Sequence, residues 1–129
     1  MQITTPVEDA LERYLDLSAL ELKYTAQNMA NIDTPGYKTV GFEFAAEMQR
    51  SLQGLLSAQT DNGVARRRFT PPTVRAGLVD GLLARPDGNN VSMDREGLNL
   101  AEAQLQFRTG VELWKRELTR IMDAIHADK

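Results

Sequence analysis

Residues 92–126 read SMDREGLNLAEAQLQFRTGVELWKRELTRIMDAIH. Ser92 offers a capping hydroxyl, and Asp94 and Glu96 place negative charge in the first turn, where the helix dipole favours it. A stripe then runs Leu100, Gln104, Phe107, Val111, Trp114, Leu118, Ile121, Ile125. Its steps alternate between four and three residues, the heptad spacing of a helix that packs on another helix. Leu98, Leu105, Leu113 and Met122 lie beside the stripe, and Gln104 interrupts it once. Gly97 and Gly110 each weaken such a helix by roughly 1 kcal/mol relative to Ala. A helix with this stripe and these glycines needs a partner.

The other end of the chain supplies one. Thr5-Pro6-Val7-Glu8 combines a capping hydroxyl, proline at the first helical position and a glutamate three residues after the cap. Val7, Leu11, Tyr14, Leu17, Leu20 and Tyr24 follow at helical spacing, with Leu15 and Leu22 beside them. The predicted helix runs from about Pro6 to Ala30, and Pro35 forbids its continuation. The expected fold is mostly α: two long terminal helices, 6–30 and 93–127, form an antiparallel coiled-coil pair. Residues 1–44 carry the first helix and its turn, 45–90 a loop-rich insert, and 91–129 the last helix. A two-helix pair buries only part of each apolar face, so the surplus argues for further association.

Seven of the nine glycines and three of the five prolines fall between residues 36 and 88. The middle therefore reads as loop, turn and short strand or helix. Residues 45–60 can form a short helix through Met48, Leu52, Leu55 and Leu56, or order only on assembly. Residues 78–83 can form a short strand, a small hairpin or a loop anchor. Thr70-Pro71-Pro72-Thr73 reads as a stiff, extended segment. Arg66-Arg67-Arg68-Phe69 reads as a solvated charge run, with binding of phosphate, peptidoglycan or an acidic patch on a neighbouring subunit as the competing readings. Asp87-Gly88-Asn89-Asn90 lacks the ligand spacing and closing Glu of a calcium loop and reads as a tight turn.

Composition removes several classes of function. The chain has 129 residues and no Cys, which excludes a disulfide scaffold, a thiolate nucleophile and Cys-bound metal. A single His126 excludes a His-rich zinc centre and argues against a Ser-His-Asp triad. A net charge of −3 does not match nucleic acid. No apolar run reaches the roughly 20 residues of a membrane span. The opening MQITTPVEDALERYL lacks the basic start and apolar core of a Sec signal, so export would take another route. Acidic pairs occur on both helices but imply no cleft that would tune a pKa. The expectation is a protein with no catalytic residues, cofactor, metal or small-molecule substrate.

The densest information lies in Ala26-Gln27-Asn28-Met29-Ala30-Asn31-Ile32-Asp33-Thr34-Pro35-Gly36-Tyr37-Lys38. Asn28 and Asn31 can bond the free carbonyls of the helix end. Pro35-Gly36 fits the central positions of a type II turn. A helix end followed by a Pro-Gly turn accounts for Thr34 to Gly36 but not for the asparagine pair. The stretch resembles the N-terminal signature of the flagellar rod, hook and hook-filament-junction proteins, roughly A-x-N-[LIM]-A-N-x-x-T-P-G-[YF]. Ala26, Asn28, Met29, Ala30, Asn31, Thr34, Pro35, Gly36 and Tyr37 match it. Asp87 to Val91, then Met93-Asp94-Arg95-Glu96 and a long helix, resemble a proximal-rod member of that family, as does the chain length. The likeness covers about residues 6–44 and 85–127.

The resemblance implies a structural subunit of the flagellar basal-body rod, exported by the flagellar type III apparatus. It implies a periplasmic rod location and torque transmission through packed terminal helices. The implied partners are further copies, other rod proteins, and membrane-ring or export-gate components. The assembly residues would be the signature Ala26, Asn28, Ala30, Asn31, Thr34, Pro35, Gly36 and Tyr37. With them would go a seam of Leu11, Tyr14, Leu17, Leu100, Phe107, Val111, Trp114, Leu118, Ile121 and Ile125. A cytoplasmic two-helix adaptor that binds partner helices is the competing reading, since it shares the seam but gives the turn no role.

Overall fold

Thr5 caps the first helix as its sequence requires. Its side chain accepts from Glu8 N at 3.2 Å, and Glu8 reaches back to Thr5 N at 2.7 Å, closing the capping box. The computed structural model describes residues 5–60 and 69–127, so the Arg66–Arg68 run lies outside the described residues. The element order is α1 (Pro6–Ala30), β1 (Val40–Gly41), α2 (Phe44–Thr60), β2 (Gly77–Leu78) and α3 (Met93–His126). Ser92 caps α3 by accepting from Arg95 N. At the other end of α3, the His126 ring Nδ1–H donates to the Met122 carbonyl at 2.7 Å.

The two terminal helices pack on each other. Near the start of α1, Thr5 Oγ1 lies 3.5 Å from Glu117 Oε1. Near its end, Asn28 Nδ2 donates to Glu96 Oε2 at 3.0 Å. Between them Tyr14 and Leu15 face Gly110 so closely that a Cβ there would sit 2.9 and 2.8 Å from their side chains. Gly110, which weakens the helix by its own propensity, thus lets α1 approach.

The middle of the chain forms a third helix. α2 spans 17 residues and lies against α1, leaving α1 between α2 and α3. Phe44 meets the Tyr14 ring edge-on at 5.4 Å, and Phe42 meets Tyr24 at 6.1 Å. Buried Arg13 donates to Ser51 Oγ at 2.9 Å and to the Pro72 carbonyl at 2.7 Å, tying α1 to α2 and to the proline segment. β1 and β2 pair antiparallel, Val40 opposite Leu78 and Gly41 opposite Gly77, so residues 77–78 join the chain after α1 rather than making a local hairpin.

Apolar burial is sparse. Among the described residues only Leu17, Leu55, Val91 and Ala103 are buried apolar side chains, while polar groups such as Ser18, Ser51, Asn89 and Glu96 are equally deep. A fully buried Leu contributes about 1.5–3 kcal/mol, so this core alone holds the chain weakly. No helix among the described residues is long and apolar enough to cross a membrane.

Candidate functional site

The signature stretch closes on itself and on the loop before α3. Asn31 caps α1: its Nδ2 donates to Gln27 O at 2.8 Å, and its Oδ1 accepts from Thr34 Oγ1 at 3.1 Å. Tyr37 N donates to Thr34 O at 3.2 Å, closing a turn with Pro35 and Gly36 at its centre. Gly36 has φ +73°, the left-handed conformation that this turn position requires and that glycine adopts freely.

Asn28 plays a different part from Asn31. Only 2% exposed, it spends its whole amide away from the helix carbonyls. Nδ2 donates to Val40 O at 2.9 Å and to Glu96 Oε2, while Oδ1 accepts from Val40 N at 3.0 Å and from the Tyr37 hydroxyl at 3.1 Å. Two N–H donors and two acceptor lone pairs are all an amide side chain has. One residue thereby joins α1, β1, the turn and α3.

Residues 85–91 complete the clasp. Fully buried Asn89 donates from Nδ2 to Asn31 O at 2.9 Å and Thr34 O at 2.8 Å, and its Oδ1 accepts from Val91 N at 2.8 Å. Gly36 N donates to Asp87 O at 2.9 Å, and a Cβ on Gly88 would lie 3.4 Å from Gly36 Cα, so two glycine backbones face each other. Asn90 Oδ1 accepts from Thr39 N at 2.7 Å. Lys38 Nζ donates to Gly88 O at 2.6 Å, and Arg85 donates to the Ile32 carbonyl. The 87–90 stretch, expected as a tight turn, does turn, but it also serves as the partner of residues 28–39.

Within the signature, Asn28 is buried and Asn31 and Tyr37 are half-buried, while Ala26, Ala30, Thr34, Pro35 and Gly36 are exposed. Within the seam, Leu17 is fully buried. Leu11, Tyr14, Leu100, Val111, Trp114 and Ile121 are half-buried, and Phe107, Leu118 and Ile125 are exposed. The line of α3 that is buried is Glu96, Ala103, Gly110 and Glu117, also at seven-residue spacing but rotated from the apolar stripe. Apolar periodicity does not reveal that line, because its members are small or acidic. The clue in the sequence is the seven-residue recurrence of small or polar positions.

Burial raises the pKa of two acid groups on α1. Glu21's carboxyl lies above its ordinary value, first through burial and then through Glu102 and Glu43. The Tyr14 hydroxyl is raised by burial and by Glu21. Nothing in the clasp aligns a nucleophile with a base, and most of its bonds run from amide side chains to backbone groups.

Known proteins of closely similar length match most of this chain. No protein-family model matches it. It is similar to the flagellar basal body rod protein FlgB of Salmonella typhimurium, 30% identical over 121 residues that cover 86% of each chain. FlgB of Borrelia hermsii is 31% identical over 108 residues, 77% of this chain and 80% of that one. FlgB of Escherichia coli is 29% identical over 123 residues, 88% of both. On this similarity, sustained over most of the length of each protein, the chain belongs to the FlgB family of flagellar basal body rod proteins.

Proposed function

We propose that this chain is a structural subunit of the proximal part of the bacterial flagellar basal-body rod. It reaches the periplasm through the flagellar type III apparatus. There α1 and α3 act as an antiparallel coiled-coil pair that stacks with neighbours into a tube and transmits torque. Residues 1–44 and 91–129 form the packing unit, and 45–90 are a variable insert.

The observation that carries this reading is the uncovered apolar face of α3. Among the described helices and strands α3 packs on α1 alone. Leu118 and Ile125 remain 43% and 58% exposed, and Leu98 73%. Unpartnered apolar rows of this length mark an interaction surface. The clasp gives the helix pair a fixed end, with Thr34, Pro35 and Gly36 exposed for docking. Its partners are further copies and other rod proteins, with membrane-ring or export-gate components at the base. Its role is mechanical, without substrate or cofactor.

Mass spectrometry of purified hook–basal bodies tests the reading. The chain is expected there in few copies relative to hook protein. Its absence from intact basal bodies, with the chain retained in the cytoplasm, would overturn the reading in favour of a cytoplasmic adaptor.

A further inference from the structure

Glu21 on α1, Glu43 just before α2 and Glu96 on α3 line one cleft of about 450 Å³, with Tyr24, Phe42 and Leu78 forming its walls. That volume falls in the roughly 300–1,000 Å³ range of ligand clefts. Glu21 Oε2 and Glu96 Oε1 are both buried without a hydrogen-bond partner. Glu96 is only 1% exposed, and its other oxygen is engaged by Asn28. A buried carboxylate oxygen with no donor is costly, because it has left its water partners without gaining others. Two of them, on residues of different helices that line one cleft, leave a strong demand for donors.

Among the described residues, the chain's own cations do not meet that demand. Arg75 and Arg95 also line the cleft, but both are exposed, and neither ion-pairs with these carboxylates among the described residues. Glu102 adds further negative charge near Glu21. A metal ion is a poor occupant, because among the described residues no three acidic or histidine groups converge as ligands. The walls narrow the choice further. Phe42 and the 65%-exposed Leu78 offer apolar surface beside the carboxylates. Arginine combines those two demands, with a methylene stem for apolar surface and a planar fork of N–H donors for carboxylates.

We propose that this cleft is a socket for an arginine side chain of a neighbouring chain, its guanidinium bonding Glu21 and Glu96 and its stem lying on Phe42 and Leu78. The proposal rests on the assembly reading above and names the chemistry of one contact in it. A second copy carries suitable chemistry in Arg66-Arg67-Arg68.

The test is a titration of the full chain against a fluorescent peptide of residues 64–70, VARRRFT, followed by anisotropy. Saturable binding is expected, weakening at about 0.5 M salt as screening demands. A peptide with all three arginines changed to Gln is expected not to bind. The double variant Glu21→Gln/Glu43→Gln breaks no side-chain hydrogen bond among the described residues and is expected to weaken binding by about tenfold or more. No saturable binding to the wild-type chain, or equal affinity in the double variant, would overturn the socket. So would spermidine binding as tightly as the peptide with no loss on Leu78→Ser, which would mark a site for free amines. In cells the two ideas separate cleanly. Normal basal-body content and swimming of the double variant would sink the socket and leave the rod reading intact. Absence of the wild-type chain from basal bodies would sink the rod reading, whatever the peptide does.

Discussion

Asn28 Nδ2 lies 3.0 Å from Glu96 Oε2, a bond between residues 68 apart that fastens the end of α1 to the first turn of α3. The same amide group holds both backbone groups of Val40 and the Tyr37 hydroxyl. Asn28→Ala orphans several buried partners at once, and each such group costs about 1–3 kcal/mol. A loss of at least about 2 kcal/mol in a urea titration is expected. Asn28→Asp is expected to be worse at neutral pH, because it sets a carboxylate against Glu96. A shift within error for Asn28→Ala would show that the clasp does not fasten the helices.

The two helix-interior glycines of α3 are expected to respond with opposite signs. A Cβ at Gly97 meets nothing within 4 Å, so Gly97→Ala should stabilise the free subunit by roughly 1 kcal/mol. At Gly110 the same atom collides with Tyr14 and Leu15. Overpacking of about 1–3 kcal/mol outweighs the propensity gain there, so Gly110→Ala should lower the melting temperature. Thermal unfolding of both variants side by side checks the pair, and equal signs would refute the close approach of α1.

Leu118 separates assembly from folding. It is exposed, so Leu118→Asp should leave the circular dichroism spectrum and melting of the isolated chain nearly unchanged. It should nonetheless abolish rod assembly and swimming. Half-buried Trp114, changed to Asp, should block assembly as well, with some loss of stability. Normal motility in the Leu118 variant would remove α3's stripe from the assembly surface.

Glu21 gives a pH signature. Burial, Glu102 and Glu43 raise its carboxyl above the ordinary 4.5, so the folded chain holds that proton more tightly than the unfolded chain does. Its stabilising contribution is fully present below the ordinary value and is lost as pH rises through the raised one. Urea midpoints of the wild-type chain should therefore decline relative to Glu21→Gln as pH climbs from about 4 toward 7. Parallel curves for the two proteins would contradict the raised value.

Both terminal helices are legible in the sequence because their signals are local. Thr5, Pro6 and Glu8 fix one start, Ser92 another, and Pro35 ends α1, each acting within a few residues. The clasp is half legible. Thr34 to Tyr37 make the expected turn, but the helix carbonyls expected as partners for both asparagines are bonded by Asn31, while Asn28 turns elsewhere. Its partner Glu96 belongs to a separate segment, and no local pattern announces a bond across 68 residues. Gly110 reads as an unexplained weakness for the same reason, since only the opposing Tyr14 and Leu15 reveal its use. A helix is one of two options that residues 45–60 allow, and the place of α2 against α1 depends on the Phe44–Tyr14 ring contact, which composition does not encode.

With so few apolar side chains enclosed among the described residues, much of the hydrophobic free energy remains to be gained in company. Any neighbour that covers the α3 stripe binds the folded form and not the unfolded one, and so adds directly to its resistance to unfolding. Stability then belongs to the array rather than to the molecule. A lone subunit should melt early, and the melting temperature should climb with concentration as copies begin to associate. The same chain locked among its fellows should outlast it by a wide margin in heat or denaturant.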